Sequence, residues 1–204
     1  MGGGYRTSRP VRDPRVLAAM REVPRDRFLP PSLAEQAYDD NPLPIGRGQT
    51  ISQPYIVAYM SELLAVEPQH RVLEVGTGSG YQAALLSLLA RRVYSIERIR
   101  PLAEAARRRL AELGYDNVEV RYGDGFEGWP EEAPFDRILV TAAPKTLPEA
   151  LVEQLAPGGR LVAPVGGFED AQTLIVVEKD EDGNVRRRED LPVRFVPMLP
   201  ETEV

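Results

Sequence analysis

Three acidic residues, Glu74, Glu97 and Asp124, stand at or near the ends of three short runs of strand character, RVLEV, RVYSIE and VEVRY. Directly after the first run comes GTGSGY, with glycine at 76, 78 and 80, and then a helical pattern, AALLSLLA. Glycine lets a backbone take unusual φ values and approach a ligand closely, and a helix start offers unpaired N–H groups. Strand, glycine turn and helix start together form a nucleotide-binding unit. The spacing is G-x-G-x-G, however, and Tyr81 stands where a dinucleotide site has its third small residue. Glu74, two positions before Gly76, is expected to carry negative charge near the turn, which disfavours a pyrophosphate and favours an ammonium or sulfonium. S-adenosylmethionine carries both cations and no phosphate. Glu97 lies about twenty residues beyond Gly76, where an acid accepts hydrogen bonds from both ribose hydroxyls. Asp124 then falls where the adenine amino group needs an acceptor. Each acid alone fits a solvated surface better than a site; three in register with the glycine turn reverse that balance.

Few other groups are available for chemistry. The chain has no Cys and one His, His70. That removes disulfides, thiolate catalysis and Cys-ligated metals, and leaves no His-based triad or His-rich metal site, so no metal is expected. The absence of Cys also fits a reducing cytoplasm. A net charge of −6 argues against a nucleic-acid binder. The arginine runs at 107–109 and 186–188 are flanked by Glu104, Glu112, Glu189 and Asp190 and read as solvated faces. No apolar run approaches the ~20 residues that span a bilayer, so no membrane association is expected. Residues 1–6 begin like a myristoylation signal, but Arg6 stands where Ser or Thr is needed.

The elements that must hold these residues follow from pattern. Asp13-Pro14-Arg15 starts a helix, with Val16, Leu17 and Met20 on one face, and Val23-Pro24 ends it. Residues 25–38 read as one or two helical turns punctuated by Pro30-Pro31. Residues 39–52, DDNPLPIGRGQTIS, show no periodicity and read as an irregular binding loop. Ser52 is a candidate N-cap for the next helix, whose stripe is Tyr55, Ile56, Tyr59, Met60, Leu63 and Leu64. Strands at 71–75, 92–98, 118–122, 135–143 and 160–165 alternate with helices at 83–90, 101–113 and 148–155, which predicts a parallel sheet covered on both faces. Strands at 173–179 and 193–198, with a turn at Asp182-Gly183-Asn184, add an antiparallel pair. With 204 residues and no long linker, one domain is expected. Its parts are N-terminal helices and a substrate loop (1–70), a βα core (71–166) and antiparallel strands (167–204).

EVGTGSGY, followed by SIER and by GDG after the third strand, resembles class I S-adenosylmethionine-dependent methyltransferases. LPIGRGQTISQPYIVAYM, YGDGFEGWPEEAPFDRILVTAAP and LAPGGRLVAPVG more narrowly resemble the protein-L-isoaspartate O-methyltransferases, over nearly the whole chain. The resemblance implies a Rossmann-like methyltransferase fold, with a mostly parallel doubly wound sheet whose last two strands are rearranged. It implies S-adenosyl-L-methionine as donor and S-adenosyl-L-homocysteine as product. It places catalysis on Ser52 and cofactor contacts on Gln49, Thr50, Ile51, Ser52, Ser79, Glu97, Asp124 and Gly125, beside Glu74, Gly76 and Gly78 of the turn. Substrate contacts fall on Ile45, Thr50, Ser52, Thr141 and Ala142. Glu74 occupies a position that is often Asp in relatives, and the C-terminal PETEV departs from tails that reach the site.

The implied reaction moves a methyl group to the free α-carboxylate of an isoaspartyl residue in a flexible protein or peptide segment, by a monomeric enzyme. Such a carboxyl group, with a reference pKa of roughly 3.3–3.7, is ionised at neutral pH, so no general base is needed. Ser52 is read as a hydrogen-bonding group that orients the acceptor, since no His pattern would activate it as a nucleophile. A methyltransferase of RNA or small molecules is the alternative; against it, Thr141-Ala142-Ala143-Pro144 offers no polar side chain suited to a planar amine. Asp182-Gly183, a sequence that isomerises readily, is expected to make aged enzyme its own substrate.

Overall fold

The computed structural model describes residues 9–167 and 169–204; the myristoylation-like start lies outside them. Helix α1 (Pro14–Glu22) begins as its sequence dictates, with the Asp13 side chain accepting from Arg15 N–H and Pro14 in the first turn. Two 3₁₀ turns follow, Arg25–Phe28 and Pro31–Gln36.

Residues 39–52 are more ordered than an irregular loop. They contain a hairpin of β1 (Leu43–Gly46) and β2 (Gln49–Ile51), in which Gly46 pairs with Gln49. Its two-residue turn, Arg47-Gly48, has positive φ at both positions (54° and 71°), as a primed hairpin turn requires. Two prolines and the short strands hide the alternation that would reveal it.

The N-cap position of helix α2 (Pro54–Leu64) is Gln53, not Ser52. Gln53 precedes proline, which pushes it to extended φ/ψ and prevents the helix from starting earlier. The β/α core then runs β3 (Arg71–Val75), α3 (Tyr81–Ser87), β4 (Arg92–Glu97), α4 (Arg100–Glu112), β5 (Val118–Tyr122), β6 (Phe135–Val140), α5 (Glu149–Glu153) and β7 (Leu155–Val165). Helix α3 starts two residues before the expected 83–90, and every one of its residues is buried. Strand β8 (Gln172–Lys179) pairs antiparallel with β7.

The last strand is β9 (Val185–Val193), not 193–198. It is a charged edge strand, VRRREDLPV, mostly exposed, so the apolar signal sought in the sequence was absent. Charge on an edge blocks pairing with other chains.

The seven-stranded sheet has the order β5-β4-β3-β6-β7-β8-β9. The first five of these are parallel, and β8 and β9 follow in chain order as an antiparallel meander. The order reverses between β3 and β6, so a crevice opens beyond their carboxyl ends. Apolar clusters cover both faces, one around α2 and α3, the other around Trp129, Phe135 and Leu151. No described helix is long and apolar enough to cross a membrane.

Candidate active site

A cavity occupies that crevice. Of the residues singled out in the sequence, Gln49, Thr50, Ile51, Ser52, Gly76, Gly78, Ser79, Glu97, Gly125, Thr141 and Ala142 line it. Ile45, Glu74 and Asp124 do not.

The glycine turn is held from below. Gly76, at φ 101°, donates its N–H to Ile96 O at 2.9 Å. Thr141, just past β6, donates its hydroxyl toward Val75 O and Gly76 O, at 3.0 and 2.6 Å. A Cβ on residue 76 would stand 2.5 Å from that hydroxyl oxygen, so close approach as well as φ demands glycine here. From α4, Arg109 donates to Ser79 O at 2.7 Å.

Glu97, at the end of β4, is 5% exposed and accepts Gly78 N–H (2.8 Å) and Ile99 N–H (3.0 Å), one on each carboxylate oxygen. Burial raises its pKa, opposed by these backbone N–H groups. Each oxygen keeps a lone pair for a ligand hydroxyl.

Glu74 behaves differently from the charged neighbour the sequence suggested. Strand alternation turns it with Val72 toward the α3 side of the sheet, opposite Ser95 of β4, where it is fully buried. Its Oε2 bonds the Ser95 hydroxyl, which lies 2.6 Å from the Thr77 hydroxyl. Its Oε1 has no partner among the described residues. Burial pushes its pKa up to about 8, so the carboxyl group is mostly neutral at pH 7. The negative charge expected beside the turn is therefore largely absent, and other features discourage a phosphate. Arg98 is the one cation among the lining residues, and its side chain is bound to Glu201 O and the Glu203 carboxylate.

Asp124 has both oxygens engaged, Oδ1 by Phe126 N–H (2.8 Å) and Oδ2 by Glu201 N–H (2.7 Å). That second bond belongs to a C-terminal strap, part of which, 193–198, was expected as a strand. Gln172 grips Phe195 at both N–H and C=O, Ala143 pairs with Val196 and Met198, and Glu203 closes on Arg98 and Arg100. Residues 195–199 thereby form one wall of the cavity. The apolar pattern of this stretch suggests a strand at 193–198, but its partners lie far away in sequence and hold it as an irregular wall. The α2 residues Ile56, Val57 and Met60 form another wall; the stripe read from the sequence included Ile56 and Met60 but not Val57, and did not show what it faced.

Ser52 lies half-buried at the end of the hairpin, and its hydroxyl makes no hydrogen bond among the described residues. Ile45, in β1, packs toward the turn: its Cδ1 stands 3.3 Å from where a Cβ on Gly78 would be. His70 is remote, at the opposite end of β3, where its Nδ1 accepts Glu67 N–H. No group of three or more His, Cys, Asp or Glu among the described residues is arranged to hold a metal. The cavity thus combines an acceptor carboxylate suited to a diol, the apolar surfaces of Ile96, Ile99 and Met198, and a close-approach glycine turn. These fit an adenosine bearing a sulfonium, and the site can align two reactants but has no nucleophile–base pair.

The family model described as protein-L-isoaspartate(D-aspartate) O-methyltransferase (PCMT) matches residues 4–203. Protein-L-isoaspartate O-methyltransferase 2 of Polaromonas sp. (strain JS666) is 58% identical over 192 residues, which are 94% of this chain and 91% of that one. A solved protein-L-isoaspartate O-methyltransferase superposes with a TM-score of 0.82 at 33% identity, covering 92% of this chain and 61% of that chain. A solved enzyme from Plasmodium falciparum, described as a protein-L-isoaspartate O-methyltransferase in complex with S-adenosyl-L-homocysteine, gives a TM-score of 0.80 at 27% identity, covering 92% and 91% of the two chains. With a family model spanning nearly its whole length and such relatives beside it, the chain belongs to the protein-L-isoaspartate(D-aspartate) O-methyltransferase family.

Proposed function

We infer that this chain is a repair methyltransferase that moves a methyl group from S-adenosyl-L-methionine to the free α-carboxylate of L-isoaspartyl residues in proteins and peptides. The observation that carries this reading is the unengaged Ser52 hydroxyl, opening on the same cavity as the glycine turn and Glu97. Bound S-adenosylmethionine supplies an electrophilic methyl on sulfur. In the transfer a carboxylate C–O⁻ forms the O–CH₃ bond as the S–CH₃ bond breaks, leaving S-adenosylhomocysteine and a methyl ester, with no proton moved. The protein's share is to bind, align and exclude water, and alignment is worth up to ~7–11 kcal/mol in favourable intramolecular systems.

Glu97 takes the ribose hydroxyls, and Gly76, Gly78 and Ser79 of the turn, in front of buried Glu74, receive the methionine part. Gly125 lies against the adenine, with Asp124 setting that loop. Gln49, Thr50 and Ile51 close over the cofactor. Ser52 donates to one oxygen of the acceptor carboxylate and turns the other toward the methyl, while Ile45, Thr50, Thr141 and Ala142 border the acceptor. An acceptor created by damage occurs in many sequences, so flexible segments bound through their backbone are the substrates, and nucleic acid is not. A cytoplasmic monomer fits a chain without Cys. An RNA or small-molecule amine acceptor finds no polar partner at Thr141-Ala142-Ala143-Pro144.

The deciding experiment compares an isoaspartyl peptide with its aspartyl twin, using labelled S-adenosylmethionine. The isoaspartyl form alone should be methylated; equal labelling of both would sink the specificity. Ser52→Ala should lower kcat by about 10²-fold, in line with the loss of one orienting donor.

A further inference from the structure

Asp40 lies outside the cavity, yet its carboxylate is attached to the residues immediately following Ser52. Oδ1 accepts Tyr55 N–H at 2.9 Å, and Oδ2 accepts the Gln53 side-chain amide at 2.8 Å. Tyr55 is the second residue of α2, and the cap residue Gln53 makes no side-chain capping bond. The capping of this helix start is therefore done from 13 to 15 positions upstream. Ser52 stands one residue before the cap position and takes no part in the capping, yet the chain that carries it is anchored by these two bonds.

Asp40 is itself held in place. Arg25, 1% exposed, donates Nε to Ala37 O (2.7 Å) and Nη2 to Asn41 O (3.3 Å), gripping the chain on both sides of Asp40. Its guanidinium lies 5.1 Å from the centre of the Tyr81 ring, and Tyr81 lines the cavity at the start of α3. A continuous set of contacts thus runs from the glycine-turn helix through Arg25 and Asp40 to the residue next to Ser52.

We propose that Asp40 is a positioning residue for methyl transfer: by capping α2 it fixes the segment that presents the Ser52 hydroxyl to the acceptor carboxylate. The inference rests on the reading of Ser52 as the group that orients the acceptor. Without the Asp40 carboxylate, the Tyr55 N–H and the Gln53 side-chain amide are both released, and the segment that carries Ser52 loses its anchor. The hydroxyl would then lose its fixed direction toward the acceptor. An amide at position 40 keeps an oxygen for Tyr55 N–H and preserves the arrangement.

The test uses the full chain with S-adenosylmethionine and an isoaspartyl peptide, comparing wild type, Asp40→Ala, Asp40→Asn, Ser52→Ala and the Asp40→Ala/Ser52→Ala pair. Asp40→Ala should lower kcat about tenfold, the scale of one lost cap, without weakening S-adenosylmethionine binding measured by calorimetry. Asp40→Asn should recover most of the loss. The double variant should be no slower than Ser52→Ala, because both changes remove one function. Asp40→Ser replaces Asp40→Ala, with the same expected results, should the alanine variant fail to fold. Wild-type kcat in Asp40→Ala, no recovery in Asp40→Asn, or additive losses in the double variant each overturn the proposal. A fully active Ser52→Ala overturns the Ser52 reading and this proposal together; an impaired Ser52→Ala beside a fully active Asp40→Ala overturns this proposal alone.

Discussion

Glu74 has the same side chain as Glu97 but a different electrical state, because Glu97 faces backbone N–H groups and Glu74 has only the Ser95 hydroxyl. With its pKa raised from 4.5 to about 8, native Glu74 keeps a proton that the unfolded chain has lost across that range. The folded state binding the extra proton means that Glu74's contribution to stability is fully present below about 4.5, falls as pH rises toward 8, and levels off above it. Glu74→Gln keeps the shape and cannot titrate. Its melting temperature should therefore gain on that of wild type between pH 5 and pH 8, and parallel melting curves across that range would count against the assignment. The sequence showed an acid at a strand end. Whether it met ligand or core depended on the face it took and on Ser95, across the sheet.

At the level of elements, the glycine turn was legible because strand, turn and helix are contiguous. The C-terminal strap reads as a strand at 193–198 and is not one. It is held by hydrogen bonds to Asp124, Ala143, Gln172 and Arg98, positions spread over the chain, and it walls the cavity without regular structure. Residues 201–204 carry the contacts to Asp124, Arg98 and Arg100. A chain ending at Pro200 should keep its fold but leave the wall at 195–199 without its outer anchors. The KM for S-adenosylmethionine should rise about tenfold with little change in the peptide KM, since the five hydrogen bonds of residues 201–203, worth ~0.5–1.5 kcal/mol each, are removed and part of that loss reaches the cavity. Steady-state kinetics with each reactant varied separately checks this, and an unchanged cofactor KM would mean that the strap is a bystander. The hairpin was missed for a related reason: its turn demands positive φ at Arg47, a residue type that does not advertise it.

On the scale of the whole molecule, surface matters as much as site. Asp182-Gly183 forms the exposed turn between β8 and β9, with Gly183 at φ 85° and nothing within 4 Å of a Cβ placed there. Attack of the Gly183 amide nitrogen on the Asp182 carboxyl carbon expels water and gives a succinimide, which water reopens to an isoaspartyl link. Aged protein incubated with fresh enzyme and labelled S-adenosylmethionine should carry label in the peptide containing Asp182, as located by mass spectrometry. Label absent from that peptide would mean that the turn is protected. Transfer in this experiment passes between molecules, since the turn lies at the edge of the sheet and cannot fold into its own cavity.

The amino-acid sequence by itself determined the βα alternation, the glycine turn and the position of Glu97, because each depends on neighbours a few residues away. It also marked residues 39–52 as a binding loop, through their density of Gly and Pro and lack of periodicity, and part of that stretch lines the cavity. Only the tertiary structure decided that Glu74 is buried and mostly neutral, that Asp124 is taken by the strap, and that Asp40 rather than Ser52 caps α2. Those outcomes depend on which distant groups share a face or an oxygen, and that is set when the sheet and its crossings assemble.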